Sequence, residues 1–230
     1  MNILNRPAIK FEARNFISID KRWLSIFWAG IVPFLLGAGK SYYRISLTKN
    51  NSFFDLDPSI ASFSLSLFLI TCLVIPFKVA FNGYKLNALR NNTFNSKFVY
   101  DTASSNYVKF LITGIVRDVI VYLWSLLLVV PGIIKGLSYS MTDYVIFENP
   151  NLDPREAMDI SKRITYGFRT DILIMYLSFI PWYFFASITA GIGSIYVLPY
   201  VETTEAMFYE NLKKHAIERN IVSPNEFGIY

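Results

Sequence analysis

Cysteine and histidine are nearly absent from this chain, which has one of each, Cys72 and His215. A single cysteine excludes an internal disulfide framework. A zinc site built from cysteine and histidine side chains needs several of these ligands, and one of each is too few. No metal or other cofactor is therefore expected.

Charged residues are also scarce. They make up 17% of the chain, against about a quarter in soluble domains, whereas hydrophobic residues make up 53%. This composition predicts a protein of the lipid bilayer. The net charge of +5 does not indicate a nucleic-acid partner, because the basic residues cluster between apolar stretches, where they set topology and contact anionic lipid head groups.

Two kinds of sequence signal are missing as well. The first 20 residues have no apolar run of the kind that a secretory signal needs, so the first apolar stretch is expected to stay as a membrane anchor. Residues 136–140 approach the nucleophile elbow of hydrolases, but the closing glycine of that motif is Ser140 here. We therefore predict that the protein is not an enzyme.

Long apolar stretches are present instead. The four strongest cover residues 23–36, 60–77, 111–134 and 172–190. Each is long enough, or nearly so, to cross a hydrocarbon core of about 30 Å, which takes ~20 helical residues. They are apolar on every face, which is typical of membrane helices rather than of strands.

Two weaker stretches, 137–147 and 194–212, decide between four spans and six. Lysine and arginine in short loops prefer the cytoplasm. With six spans and a cytoplasmic N-terminus, most basic residues between the spans lie inside, whereas four spans divide them more evenly. The sequence therefore predicts an all-α membrane helix bundle of about six transmembrane helices, with both termini cytoplasmic.

The six-span interpretation requires the chain to reverse near Pro131-Gly132, with Lys135 at the outer turn. Proline interrupts a helix and glycine makes a reversal easier. The alternative is a proline kink in one long helix, which membrane proteins tolerate. A second outer turn is predicted at 191–194, where small residues allow a tight reversal.

Short amphipathic helices are predicted on the cytoplasmic side. Asp153, Pro154 and Glu156 mark a helix start. Apolar residues then recur at helical spacing: Ala157, Ile160, Ile164 and Phe168. Residues 9–20 and, more weakly, 94–108 have similar stripes. We expect these helices to lie on the inner membrane surface, where they either join spans and contact lipid or dock a partner.

We predict a single integral membrane domain over residues 1–230. Residues 1–22 form its amphipathic segment, 23–214 the six-helix bundle and 215–230 a cytoplasmic tail.

Five ionisable residues inside the apolar stretches are the candidate functional residues. They are Arg117, Asp118, Asp143, Glu202 and Glu205. Such groups are costly in a bilayer and face protein or water. If the third, fourth and sixth spans pack together, Arg117 neutralises one of the carboxylates. Either the groups pair near the inner interface, where the helices project from the bilayer, or they form a polar pocket or ion path in the cytoplasmic half of the bundle.

A series of short motifs between residues 80 and 213 comes in a recognisable order. It includes Pro131-Gly132-Ile133, Tyr139-Ser140-Met141, Asn149-Pro150, Gly191-Ile192-Gly193 and Pro199-Tyr200. In this order the sequence resembles the bacterial integral membrane family catalogued as domain of unknown function 975. The resemblance implies a multi-pass protein of the bacterial cytoplasmic membrane. The resemblance implies no catalytic residues, so no site is assigned to this chain from the family.

These observations favour a non-enzymatic membrane protein that acts through protein or lipid partners, as an accessory, scaffold or immunity-type component. The alternative is a small transporter or channel that uses the five ionisable residues. An intramembrane enzyme is the third and most distant interpretation.

Overall fold

The structure is a computed structural model, and it describes residues 5–19, 22–29, 58–189 and 191–228. All regular structure in these ranges is helical, as the sequence predicts. The helices are α1 (Arg6–Ser18), α2 (22–29), α3 (Pro58–Asn91), α4 (Lys97–Ser105), α5 (Tyr107–Leu127), α6 (Val129–Ser138), α7 (Thr142–Glu148), α8 (Pro154–Ile164), α9 (Arg169–Leu177), α10 (Ile180–Ile188), α11 (Ser194–Glu218) and a 3-10 helix (Pro224–Phe227). The predicted first span continues past residue 29 and there lies outside the described residues.

Helices α5 and α6 form an antiparallel hairpin, so the chain reverses here instead of continuing as one kinked helix. The close approach of the two helices depends on Gly132. A Cβ atom at Gly132 would lie 2.7 Å from the Cα atom of Ser125, which is closer than non-bonded carbons approach. Four residues on, a Cβ atom at Gly136 would meet Val121 at 3.9 Å, an ordinary contact.

The predicted position of this turn is wrong by three residues. The reversal occurs at Leu128, whose extended backbone (φ −159°, ψ 142°) separates the two helices. Pro131 lies in the first turn of α6, where the missing N–H of proline costs no helical hydrogen bond. Lys135 consequently lies on the returning helix, with its Nζ atom 4.8 Å from the ring centre of Trp124. The tip of the hairpin is apolar.

The predicted second turn lies where the sequence places it. Helix α10 ends at Ile188 and α11 begins at Ser194, and Gly191 has a φ of +90°, in the left-handed region that favours glycine. The predicted sixth span, 194–212, lies within α11. The predicted fourth span, 137–147, is divided by a break at 139–141 between α6 and α7.

Two helical segments in the described ranges are long and apolar enough to cross a membrane, Tyr107–Leu127 and Arg169–Ile188. Only 22% of each apolar window is buried within the protein. The exposed large apolar side chains concentrate between Val119 and Ile134 and between Ile180 and Ile192. The ends of the α5–α6 and α10–α11 hairpins therefore present apolar surface outward.

The predicted amphipathic helices form, but the apolar faces of α1 and α8 are directed inward and not towards a membrane surface. The stripe of α1, Ile9, Ala13 and Ile17, is buried and packs against α11. In α8, Ala157 and Ile160 are buried against the helices that surround them. A helical stripe has the same period whether lipid or protein covers it, so the pattern predicted the helices correctly and their contacts wrongly.

The segment predicted as a cytoplasmic tail is largely packed on the bundle. Helix α11 continues to Glu218, and Val222 and Phe227 are buried beyond it. Arg163 of α8 donates a hydrogen bond of 2.7 Å from Nη2 to Glu226, and this bond fixes the last turn of the chain against α8.

Candidate functional site

A cavity of about 750 Å³ lies between α2, α3, α5, α6, α9, α10 and α11 and the start of α7. All five ionisable residues predicted from the sequence line it: Arg117, Asp118, Asp143, Glu202 and Glu205. Aromatic rings of α3, α5 and α9–α10, including Phe81, Tyr122, Tyr176 and Tyr183, form other parts of the wall. The structure thus brings together side chains from three predicted spans.

Arg117 is the centre of the ion pairs on the α5 side of the cavity. It donates to Asp143 of α7 through Nη1 and to Asp118 through Nε at 3.0 Å and Nη2 at 2.9 Å. The Arg117 and Asp143 side chains are 10% and 3% exposed, whereas the Asp118 side chain is 54% exposed. The hairpin explains the pair of Arg117 and Asp143. Because the chain reverses at Leu128, the middle of α5 lies opposite the start of α7, which carries Asp143.

Helix α11 supplies the carboxylates on the opposite side. Glu202 and Glu205 are three residues apart and share one helix face. Lys85 of α3 forms an ion pair with Glu202 and lies 3.9 Å from Glu205. Tyr176 of α9 donates a hydrogen bond of 2.7 Å from its hydroxyl group to Glu205. Both carboxylates have partners behind the wall, and each is still partly exposed.

Sequence reasoning missed two lysines of α3 that belong to this site. Lys78 lines the cavity and lies 3.8 Å from Asp143, while Lys85 is 1% exposed behind Glu202. Both follow the apolar stretch that ends at Phe77, so the sequence alone places them in a cytoplasmic connection after the second predicted span. The missed signal is their spacing, because Lys78, Asn82 and Lys85 recur at i, i+4 and i+7 and therefore mark one face of a helix that continues beyond the apolar stretch.

A second buried cluster of charges, the Glu148 cluster, lies further along α11. Glu148 ends α7 and is 4% exposed. It accepts hydrogen bonds from the Tyr209 hydroxyl at 2.5 Å and from Lys213 Nζ at 2.7 and 2.8 Å, and it pairs with Arg90. Arg90 also donates from Nε to Glu210 at 2.7 Å. Burial alone would lower the pKa of Arg90, but the carboxylates of Glu148 and Glu210 raise that pKa above its ordinary value.

One protein-family model matches the chain. A family model described as "Protein of unknown function (DUF975)" matches residues 4–216. The chain belongs to the DUF975 family. The match confirms the resemblance carried by the motifs between residues 80 and 213 and extends it to the N-terminal third. No similar protein was found among curated proteins, and no similar chain among solved structures.

The matched region of this DUF975 protein contains the cavity and the Glu148 cluster, since every residue named in them lies between 78 and 213. Within the described part of the chain, no three histidine, cysteine, aspartate or glutamate side chains come together in a way that could hold a metal ion. The described lining of the cavity offers carboxylates, two cationic side chains, Arg117 and Lys78, and aromatic rings.

Proposed function

We propose that the chain is a multi-pass membrane protein that binds a small organic cation in the cavity between α3, α5 and α11. The observation that carries this proposal is the composition of the described lining. Four carboxylates, Asp118, Asp143, Glu202 and Glu205, face two cations, Arg117 and Lys78, in a wall that is otherwise largely apolar and aromatic.

The placement in a membrane is supported by the surface of the two apolar helical segments. The core helix of a soluble protein would be mostly buried, whereas these segments are 22% buried. Soluble monomers rarely expose large contiguous apolar patches. A bilayer would cover the side chains at both hairpin ends, including Trp124 and Phe184, at no cost to the fold.

Six spans remain the topology that we propose. Residues 60–77 of α3 contain no charged residue, and they precede the part of α3 that carries Lys78 and Lys85. The reversals at Leu128 and at 191–193 would both lie outside. The basic residues of α1, α4 and α8, and both termini, would then lie in the cytoplasm, as the charge bias favours.

Labelling of an introduced cysteine tests this topology. In a Cys72→Ser background, Asn151→Cys lies in the exposed connection between α7 and α8, and we expect it to react with an impermeant maleimide only after the membrane is opened. Ile192→Cys, in the exposed outer turn, is expected to react in intact cells. Labelling of Asn151→Cys from outside would exclude the six-span orientation.

The preference for a cation follows from how the charges are already paired. Arg117 is neutralised by Asp143 and Asp118, and Lys85 approaches Glu202 from behind the wall. The partly exposed carboxylates leave negative potential in the cavity, and in a surrounding of low dielectric constant this potential is weakly screened. Aromatic rings such as those of Tyr176 and Tyr183 add attraction for a cation over their faces.

The size of the cavity is suited to a small molecule. Ligand pockets typically measure about 300–1,000 Å³ and combine apolar walls with a few placed polar groups. A cavity of about 750 Å³ is within this range. We propose that binding is one step of transport, because an ionisable site inside a membrane bundle is typical of a solute or ion pathway.

A matched pair of ions tests the proposed ligand class. Tetraphenylphosphonium and tetraphenylborate have nearly the same shape and opposite charge, and we expect the purified protein to bind the cation and not the anion. Glu202→Gln with Glu205→Gln should weaken binding of the cation at least about tenfold, because each substitution removes a charged partner from a poorly hydrated site.

Glu218→Gln is the control for this experiment, since Glu218 lies exposed at the end of the same helix and should leave binding unchanged. Equal binding of both ions would contradict the proposal, and so would a double variant that binds the cation like the unaltered protein.

Two observations favoured an accessory component that acts through partners, the absence of a recognisable catalytic motif and the predicted surface helices, and the second no longer supports that role. The stripes of α1 and α8 were expected to contact lipid or a docked protein, and they contact the bundle itself. The cavity now carries the functional proposal.

A further inference from the structure

The two glutamates of α11 in the cavity share a single cation. We call Glu202 and Glu205 the glutamate pair. In the part of the chain that the structure describes, the cation that contacts the pair is Lys85, which forms an ion pair with Glu202 and lies 3.9 Å from Glu205. Two carboxylates opposite one ammonium group leave one negative charge over.

The other charges of the described lining balance one another on the α5 side. Arg117 pairs with Asp118 and Asp143, and Lys78 lies 3.8 Å from Asp143. Two cations thus face two carboxylates. The tyrosines near the glutamate pair are uncharged at neutral pH, and they come from α7, α9 and α10: Tyr144, Tyr176 and Tyr183. The excess negative charge therefore belongs to the glutamate pair.

Helices α1 and α8 also pack against α11, but their basic residues act elsewhere. The charge of Arg14 in α1 acts at Tyr200. Tyr200 precedes Glu205 by five residues and lies on another face of the helix, about 140° away at 3.6 residues per turn. Arg163 of α8 pairs with Glu226 near the end of the described chain. These residues leave the charge of the glutamate pair as it is.

An excess charge is costly in a wall that is otherwise largely apolar and aromatic. Where two carboxylates share one site, repulsion keeps a proton on one of them. Loss of a proton from Lys85 would leave two negative charges over, so a carboxyl group is the one that changes. The glutamate pair becomes neutral in one of two ways, with one proton or with one monovalent cation.

The two carboxyl oxygens of Glu205 have different neighbours. Oε1 accepts the hydrogen bond of 2.7 Å from Tyr176. Oε2 lies 3.9 Å from Lys85 Nζ, which is beyond the length of a hydrogen bond. Oε2 is therefore the atom that can carry a proton while the hydrogen bond from Tyr176 stays in place. Glu202 is the direct partner of Lys85 and remains ionised.

We propose that the glutamate pair holds one proton at neutral pH when no ligand is bound, and that this proton is exchanged for the organic cation, one for one. The O–H bond at Glu205 Oε2 breaks, the proton passes to water in the cavity, and the carboxylate pairs with the positive charge of the ligand. Both glutamates line the cavity, and their side chains are 32% and 21% exposed. Water and ligand thus reach them directly.

The inference rests on the proposed function and adds the coupled ion to it. Proton and organic cation weaken each other's binding by the same factor, because the coupling of two binding equilibria is reciprocal. In a transport cycle, a proton gradient would drive the organic cation in the opposite direction. One charge is exchanged for one charge, so a monovalent cation would be moved without net transfer of charge.

Proton release on binding tests the exchange. Tetraphenylphosphonium is titrated into the purified full chain in weak buffer, and released protons and the Kd are measured over a series of pH values. We expect about one proton per bound cation at neutral pH. The affinity should fall by up to about tenfold for each unit of pH in the acid range, because one proton competes with one ligand. Binding without proton release would overturn the inference.

Glu205→Gln and Glu202→Gln should each abolish the release, because either variant leaves one carboxylate opposite Lys85 and no excess charge. Asp118→Asn is the matched comparison. It removes a carboxylate that is 54% exposed on the other side of the cavity, so binding should weaken while each bound cation still releases about one proton. Release by Glu205→Gln as in the unaltered protein would contradict the assignment of the proton to the glutamate pair.

Infrared spectroscopy of the protein without ligand separates this inference from the proposed ligand class. At neutral pH we expect the C=O absorption of a protonated carboxyl group, which Glu205→Gln should remove and Asp118→Asn should retain. This absorption without binding of tetraphenylphosphonium would refute the proposed ligand and leave the protonated glutamate pair standing. Binding without the absorption would overturn the inference and leave the proposed ligand standing.

Discussion

Replacing Arg117 by methionine is expected to lower the free energy of unfolding by about 3–5 kcal/mol, which is typical when one partner of a buried ion pair is removed. The loss arises at Asp143, whose side chain is 3% exposed and would lose the guanidinium group that pairs with it. Its other neighbour, Lys78, is 3.8 Å away and largely exposed, so it cannot replace the guanidinium group. Unfolding in detergent, followed by temperature or by titration with dodecyl sulfate, measures the change.

A double variant distinguishes this mechanism from a simple loss of packing. Arg117→Met with Asp143→Asn removes both charges, and most of the lost stability should return, because replacing a whole buried pair by neutral groups is often close to neutral. Lys78→Met is the control and should cost at most about 1 kcal/mol, as expected of an exposed ion pair. If the double variant were less stable than Arg117→Met alone, the pair would not be the cause.

Glu148→Gln is expected to have a comparable effect, a loss of about 3–5 kcal/mol. The substitution keeps the size of the side chain and leaves Lys213, which is 8% exposed, without the carboxylate that neutralises it. It also changes the acceptor of the Tyr209 hydroxyl. The same detergent unfolding experiment measures the result.

Glu210→Gln is the matched control for Glu148. Glu210 pairs with the same Arg90, but at the surface, where an ion pair contributes about 0–1 kcal/mol. Two glutamates that share one arginine should thus differ several-fold in effect. Equal losses of stability for Glu148→Gln and Glu210→Gln would show that burial does not determine how much each ion pair of the cluster contributes.

The sequence was sufficient to predict the five cavity residues because each interrupts an apolar stretch. Arg117 and Glu202 are conspicuous there, and the structure places them around one cavity. Lys85 was missed because the apolar stretch ends at Phe77, whereas α3 continues to Asn91. Glu148 was missed because, next to Asn149-Pro150, it looks like an ordinary residue of a connecting loop.

The helices were easier to predict than what covers them. Spacing predicted α1 and α8, but a stripe such as Ile9, Ala13 and Ile17 is equally compatible with lipid and with protein. The position of the α5–α6 turn could also not be predicted from the local sequence. Pro131-Gly132 is the usual signal of a reversal, while Leu128, where the chain reverses, has no local signal of a turn.

The packing of α1 against α11 has a consequence for how the protein is made. These are the first and the last long helices of the described chain, and Ile9, Ala13 and Ile17 are buried between them and the bundle. During synthesis, α1 leaves the ribosome long before α11 exists, so its apolar side stays uncovered by its final partner until the rest of the chain has been made. Closing a contact across almost the whole chain carries a large loop entropy. The step that docks α1 is therefore expected to come last in folding, after the α5–α6 and α10–α11 hairpins have formed.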